Sequence, residues 1–245
     1  MKQLYNTIGV GYANLRKPDP RIAQTINGAL GGAKTVLNVG AGTGSYEPVD
    51  RDVTAIEPSI EMIRQRLPSA PKAHQGVAEH LPFQDDEFDA AMAILTVHHW
   101  SDVEVGLVEM RRVAKNRILI LSFDPAAPYF WLADYIPEII ALDQPIMPKL
   151  SEFERILGDT EITPIPIPHD CTDGFLGAYW RRPRAYLNPL VRAAISTFPK
   201  LDDVSGPLAK LESDLNSGAW DNKYGHLMEL DRLDIGYRLI VADCS

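Results

Sequence analysis

Three glycines at alternate positions, Gly40, Gly42 and Gly44, stand in the stretch VLNVGAGTGSYE (36–47). Glycine at this density costs conformational entropy, so something must need a backbone that approaches closely without side chains. A glycine loop that leaves a strand and opens a helix offers backbone N–H groups to an anion. Glu57, at the end of the next apolar run, adds a carboxylate able to accept both hydroxyls of a ribose. Further along, His98 and His99 follow the run FDAAMAIL (88–95). A neutral imidazole near pH 7 can accept a proton, so the pair is a candidate for general-base work. No third ligand stands at a useful spacing from them, and a metal centre is not expected. These residues suggest a nucleotide-type cofactor beside a proton-handling pair.

The glycine spacing separates cofactor classes. The dinucleotide fingerprint is G-x-G-x-x-G. Here the third glycine comes one residue early and Ser45 takes its place, which disfavours an NAD-dependent oxidoreductase.

The elements that must position these groups can be read from the apolar runs. Strands are expected at 34–39, 52–57, 72–77, 88–95 and 117–123. Helices are expected over 17–32, with Asp19 as cap and Pro20 in the first turn, and over 58–67, 101–114 and 125–140. Strands alternating with helices imply a parallel sheet covered on both faces. Ligands then lie beyond the carboxyl ends of the strands, at loops 40–46, 57–59, 76–83, 95–100 and 123–131. In ITPIPIPHD, Pro164, Pro166 and Pro168 turn their missing N–H to one side, which only an edge strand tolerates. Residues 174–233 read as helix and loop, too long for a bare connection, and so as a helical cap before a last strand at 234–243.

Composition narrows the class. With 245 residues, 45% of them hydrophobic, the chain can bury a substantial core. A net charge of −9 weighs against nucleic acid and against an anionic membrane surface. The basic cluster Arg111, Arg112, Lys115 and Arg117 reads as a solvated helix end. Cys171 and Cys244 are too few for a disulfide framework or a zinc site. The absence of a signal-like start and of any membrane-length apolar run leads to an expected cytoplasmic location.

Taken with their spacing, these segments resemble the class I S-adenosylmethionine (SAM)-dependent methyltransferases. The similarity is greatest to the group that contains the quinone-biosynthesis C-methyltransferases and many small-molecule enzymes. VLNVGAGTG is similar to that family's first motif and AIEPS to its second, while GVAEHLPFQDDEFDAAMAILTVHHW is similar to the third and fourth; the resemblance covers residues 34 to 124. It implies a Rossmann-like, seven-stranded, mostly parallel sheet with an antiparallel last strand. The methyltransferase core would be residues 1–173 with 234–245, and 174–233 would cap the substrate site.

For the cofactor, the resemblance implies that Asn38, Gly40, Ala41, Gly42 and Gly44 line the methionine portion of SAM. Glu57 takes the ribose hydroxyls, and Pro58, Ser59 and Met62 flank the adenine. The backbone at Ala78 and Glu79 meets the adenine edge, Leu95 lies near the sulfonium, and Tyr12 or Arg16 closes over the cofactor. Two departures are visible: the family usually has Asp where this chain has Asn38, and commonly Asp where it has Val77.

A methyl transfer needs aligned groups, and a base only if the acceptor must lose a proton. The aromatic residues Trp100, Tyr129 and Trp131 fall on loops where ring faces would suit a sulfonium. Asp124 reads as a helix cap, and Arg181, Arg182 and Arg184 as a basic run able to meet an acidic substrate or solvent. Because adjacent residues of an extended segment point oppositely, one histidine, His99, is expected to face the methyl acceptor and His98 to serve the fold or the cofactor fit. The expected activity is SAM-dependent methylation of a small-molecule O, N or C acceptor, yielding S-adenosylhomocysteine. A SAM-binding protein without turnover is the alternative, ahead of an NAD enzyme. Oligomeric state is not legible.

Overall fold

Val36, Leu37 and Val39 are all fully buried, a run too continuous for a strand with one wet face, and they mark the centre of a sheet covered on both sides. The computed structural model of the chain describes residues 16–244. Strands β1 (Thr35–Val39), β2 (Asp52–Glu57), β3 (Ala73–Gln75), β4 (Phe88–Ile94), β5 (Ala114–Phe123), β6 (Thr160–Pro164) and β9 (Tyr237–Asp243) form one seven-stranded sheet in the order β3-β2-β1-β4-β5-β9-β6. The pairs from β3 across to β5 are parallel. β9 runs antiparallel to both β5 and β6.

Alternate side chains of each strand feed two cores. Val36, Met92 and Leu119 join one; Leu37, Ala91 and Ile118 join the other. Helix α1 (Pro20–Ala29) covers the first, with Asp19 as its N-cap and Ile22 and Ile26 buried. Helix α3 (Val103–Val113) covers the second through Leu107 and Met110, capped by Asp102.

Four expectations change. The crossover from β1 to β2 contains no helix: residues 41–51 run as turns. Gly40, Gly42 and Gly44 all take positive φ (71°, 53° and 96°), and so does Tyr46 at 63°, a succession that no right-handed helix admits. The helix expected over 58–67 shortens to α2 (Ile60–Arg64), with the Ser59 hydroxyl accepting from the Met62 N–H; Pro68 disfavours helix at Leu67. The helix expected over 125–140 is replaced by a 3₁₀ turn (Trp131–Asp134) and α4 (Glu138–Asp143), because Pro137 admits only a new start. Asp124 accordingly closes a turn by accepting from the Ala126 N–H, not a helix.

The fourth change concerns the prolines. β6 is the sheet edge, but the expected strand 161–168 divides: after Pro164 the chain turns away, and β7 (Ile167–Pro168) pairs with β8 (Arg232–Leu233) in a separate ribbon. The N–H of Ile165 still donates inward to Tyr237 O at 2.9 Å. By alternation, the ring nitrogens of Pro164 and Pro166 face outward, where no donor is needed.

Between β7 and β8 lie α6 (Pro189–Ala193), α7 (Ser205–Ser217), α8 (Ala219–Tyr224) and several 3₁₀ turns; α5 (Leu150–Leu157) precedes β6. Trp180, Tyr186 and Trp220 are fully buried here. Trp131 enters the same cluster edge-on to Trp220, centroids 5.4 Å apart, and its indole N–H donates to Trp180 O at 2.6 Å. The 131–139 segment thus belongs with this helical layer, and both pack continuously on the Met92 face of the sheet. Among the described residues, no helix is long and apolar enough to cross a membrane.

Candidate functional site

A cavity of about 490 Å³ opens at the carboxyl ends of β1, β2, β4 and β5, a size typical of small-molecule sites. The glycine loop forms one wall. Most of its N–H groups are turned inward: those of Gly40 and Ala41 donate to Ile56 O (2.9 and 3.0 Å), and that of Gly44 donates to Ala41 O. The Gly42 N–H donates to Glu57 Oε2 at 2.8 Å, and the Ser59 N–H donates to Glu57 Oε1 at 2.8 Å. Any side chain on Gly40 would overlap Thr96 Oγ1.

Glu57 is therefore held rigidly by two backbone donors while its carboxylate lines the cavity. Burial raises its carboxyl above the ordinary value, against the pull of the two N–H groups and the Arg66 charge. Hydroxyl donors from a bound ribose would relieve that desolvation. A pyrophosphate would meet that carboxylate, and the N–H groups of all three loop glycines and of Ala41 are already engaged.

Asn38 is buried, and its Nδ2 donates to Glu47 Oε1 at 3.0 Å. Asn38 lines the cavity wall, and its Oδ1 is buried with no donor. Glu47 in turn receives the Arg66 guanidinium at 2.7 Å, both side chains being 5% exposed. A Cβ at Gly44 would press on Glu47 Oε2 at 2.9 Å and Arg66 Nη1 at 3.1 Å. Gly44 accordingly packs on this ion pair and does not reach the cavity. The open acceptor at Asn38, the carboxylate of Glu57 and the inward-turned loop together fit a cofactor with a cationic amino acid end and a ribose, as SAM has.

The remaining expected cofactor residues come to the same cavity. Ala41 joins the glycine wall, and Pro58, Ser59 and Met62 sit beside Glu57. Ala78 and Glu79 form the next wall, with Val77 45% exposed. Glu79 is anchored from behind, since its Oε1 accepts from the Ser101 N–H, the Ser101 hydroxyl and the Asp102 N–H. This leaves the 77–79 backbone toward the cavity. Leu95 lines it at φ 52°, a strained conformation for a branched side chain and one that clusters at functional sites. Arg16 reaches the rim while its Nε donates to Asp173 Oδ1 at 2.6 Å. Tyr12 lies outside the described residues.

His98 and His99 both line the cavity, contrary to the expectation that only one would. Residues 97–99 form a 3₁₀ turn, not an extended segment, and the rings lie side by side with centroids 3.9 Å apart. Burial, followed by the Lys200 and Arg16 charges, lowers His99 to about 4. Burial, the neighbouring imidazole and Lys200 hold His98 well below the ordinary value. Both are neutral at pH 7. Beside a sulfonium cation, neutrality avoids like-charge repulsion.

Of the aromatic candidates, Trp100 and Tyr129 line the cavity, whereas Trp131 is committed to the cap core. Arg181, Arg182 and Arg184 hold main-chain carbonyls of the 171–230 region, and none lines the cavity. Arg112 and Arg117 likewise tie carbonyls and carboxylates. Sequence spacing gave no sign of Tyr46, Glu47, Arg66 or Asp173. Their partners lie far along the chain, so only the folded loop brings them together. Among the described residues, no group of three or more His, Cys, Asp or Glu is placed to hold a metal.

A crystal structure of a protein from Anabaena variabilis, described as a methyltransferase from an antibiotic biosynthesis pathway, superposes with a TM-score of 0.86 at 36% identity, covering 93% of this chain and 98% of that one. A methyltransferase domain family model matches residues 37–120. The chain belongs to the class I SAM-dependent methyltransferases. Among curated members, the uncharacterized methyltransferase YcgJ of Bacillus subtilis is 33% identical over 104 residues, which is 38% of this chain and 41% of that protein. The ubiquinone/menaquinone biosynthesis C-methyltransferase UbiE of Citrifermentans bemidjiense is 34% identical over 119 residues, 41% of this chain and 51% of its own. The chain thus spans about half or less of the length of these curated relatives. The family-model match ends within β5, so the similarity to that family model covers the sheet from β1 to β5 and leaves out the helical layer of residues 174–233.

Proposed function

We propose that this methyltransferase moves the SAM methyl group to an oxygen, nitrogen or carbon of a small molecule enclosed between the sheet and the 174–233 cap. The observation that carries the reading is the continuity of one cavity, from Glu57 and the glycine loop, past Leu95 and the histidine pair, to Ile195 and Thr197 of the cap. Cofactor and acceptor would share that space with no wall between them.

Bound SAM supplies an electrophilic methyl on a cationic sulfur. Glu57 holds the ribose, Asn38 Oδ1 receives the ammonium, and the 77–79 backbone borders the adenine. The cap excludes water. The methyl would pass to the acceptor's electron pair, with the carbon–sulfur pair kept by sulfur and S-adenosylhomocysteine as the other product. A neutral histidine beside the acceptor can take the proton that an O–H or N–H acceptor releases. Holding donor and acceptor in line supplies the larger part of the acceleration.

Calorimetric titration with SAM, S-adenosylhomocysteine and NAD tests the cofactor; binding of NAD in preference to SAM would overturn it. Release of S-adenosylhomocysteine across a panel of apolar hydroxyl and amine compounds then separates turnover from binding alone.

A further inference from the structure

The cavity extends well beyond the cofactor residues, and its far end is built by the cap and the 123–147 segment. Phe123, Phe130, Met147, Phe175 and Ile195 make it apolar. Two polar residues that nothing in the cofactor site uses also line this chamber. Asp143, 6% exposed at the end of α4, lines the cavity. Both of its oxygens lie 3.0 Å from Thr197 Oγ1, yet one hydroxyl has one proton to donate. Among the described residues no second donor reaches the carboxylate. Tyr129 lines the same chamber with a buried hydroxyl that has no partner. Burial pushes that phenol up to about 12 with the Asp143 charge assisting, so it remains a neutral donor and acceptor. A buried carboxylate with an open oxygen and a buried hydroxyl without a partner are costly unless something fills them.

We propose that Asp143 and Tyr129 receive a hydrogen-bond-donating group of the methyl acceptor, and that the acceptor is an apolar, ring-sized molecule bearing a neutral hydroxyl or N–H, not a carboxylate or phosphate ester. The inference rests on the methyltransferase reading above and adds the class of its substrate. An anionic acceptor would face Asp143 at close range. The arginines Arg181, Arg182 and Arg184 are turned to main-chain carbonyls, and of the cations that do line the cavity, Arg16 is paired to Asp173 and Lys200 already acts on the Asp143 charge. A site built to accept from a donor rejects analogues that lack one, because its own polar atoms are then stranded.

The test uses protein loaded with S-adenosylhomocysteine and four matched probes: 1-naphthol, 1-naphthylamine, 1-methoxynaphthalene and 1-naphthoate, each titrated calorimetrically. Naphthol and naphthylamine are expected to bind at least about tenfold more tightly than the ether and the carboxylate. In Asp143→Asn the amide N–H₂ replaces an acceptor with a donor, so the preference over the ether should fall below about threefold or invert. Tyr129→Phe, which keeps the ring packing, should lower naphthol affinity while leaving S-adenosylhomocysteine binding unchanged. Equal affinity for the four probes, no binding of any of them, or a preference for naphthoate overturns the proposal. Failure of the unaltered protein to take up S-adenosylhomocysteine overturns the methyltransferase reading instead.

Discussion

The hydroxyl of Tyr46 donates to Asp173 Oδ2 at 2.9 Å, joining the glycine loop to the segment that leads into the cap. Asp173 is fully buried, and its other oxygen receives Arg16. The glycine loop, Arg16 and the segment that leads into the 174–233 layer therefore share one carboxylate. Tyr46→Phe leaves that carboxylate short of a donor, at a cost of about 1–3 kcal/mol. The measurement is chemical denaturation with and without SAM. The loss should be accompanied by weaker SAM binding, because the positive-φ loop is held by this bond. Unchanged affinity would confine the bond to a structural role.

Glu57→Ala should weaken SAM by about 1.5–3 kcal/mol, the size expected for lost hydrogen bonds to a charged group. Calorimetry reads it directly. Wild-type affinity in the variant would remove Glu57 from the ribose.

Asn38 offers a sharper case. An aspartate there would meet Glu47, whose Oε1 now lies 3.0 Å from Asn38 Nδ2. Asn38→Asp alone should destabilise the fold, since close like charges cost several kcal/mol. Asn38→Asp with Glu47→Gln should recover thermal stability and bind SAM more tightly than the natural chain. A stable single variant would mean that Arg66 neutralises both carboxylates.

For the histidines, the lowered His99 value fixes the direction of pH effects. Unfolded histidine titrates near 6.5 and folded His99 at about 4. Between those values the unfolded chain binds more protons. Its stabilising contribution is complete above about pH 6.5 and is lost as pH falls through about 4. The melting temperature should drop over that window, and His99→Gln should flatten the drop. Activity should show no acid limb near 6.5. Because a base this weak is poorly matched to neutral pH, His99→Ala should lower turnover toward the smaller end of the usual range, about 10²-fold, with SAM affinity retained. An acid limb near 6.5 would contradict the buried, neutral imidazole.

The glycine-loop wall of the cavity was legible because its signals are local. A strand, a glycine loop and an acid at the next strand end lie within residues 34–57, and they meet in the structure with Glu57 bonded to Gly42 and Ser59. The alternating prolines marked the edge for the same reason: a missing N–H is a property of one residue. What spacing did not reveal depends on residues distant in sequence. Asp143 and Thr197 belong to different segments, as do Tyr46 and Asp173. The absent helix after β1 was misread because the glycine pattern suits a phosphate loop and a turn equally; only the positive φ values of Gly40, Gly42, Gly44 and Tyr46 separate the two. Likewise, the histidine pair was assigned opposite faces on the geometry of an extended chain, and a single 3₁₀ turn reversed that.

Strand β9 lies between β5 and β6, although the whole 174–231 stretch precedes it in the chain. During synthesis, β6 therefore emerges with no neighbour to pair with, and its partner arrives only after the helical layer has left the ribosome. Until then the sheet has an open face at β5, a segment with five consecutive buried residues from Ile118 to Ser122. Such an edge is prone to pair with other chains. On the far side of β6 (Thr160–Pro164) the ring nitrogen of Pro164 offers no donor, while by the same alternation the N–H of Ile162 still faces outward. The order of translation thus makes the β5 edge the exposed one until β9 arrives, and Pro164 removes one of the donors that β6 would otherwise offer to another chain.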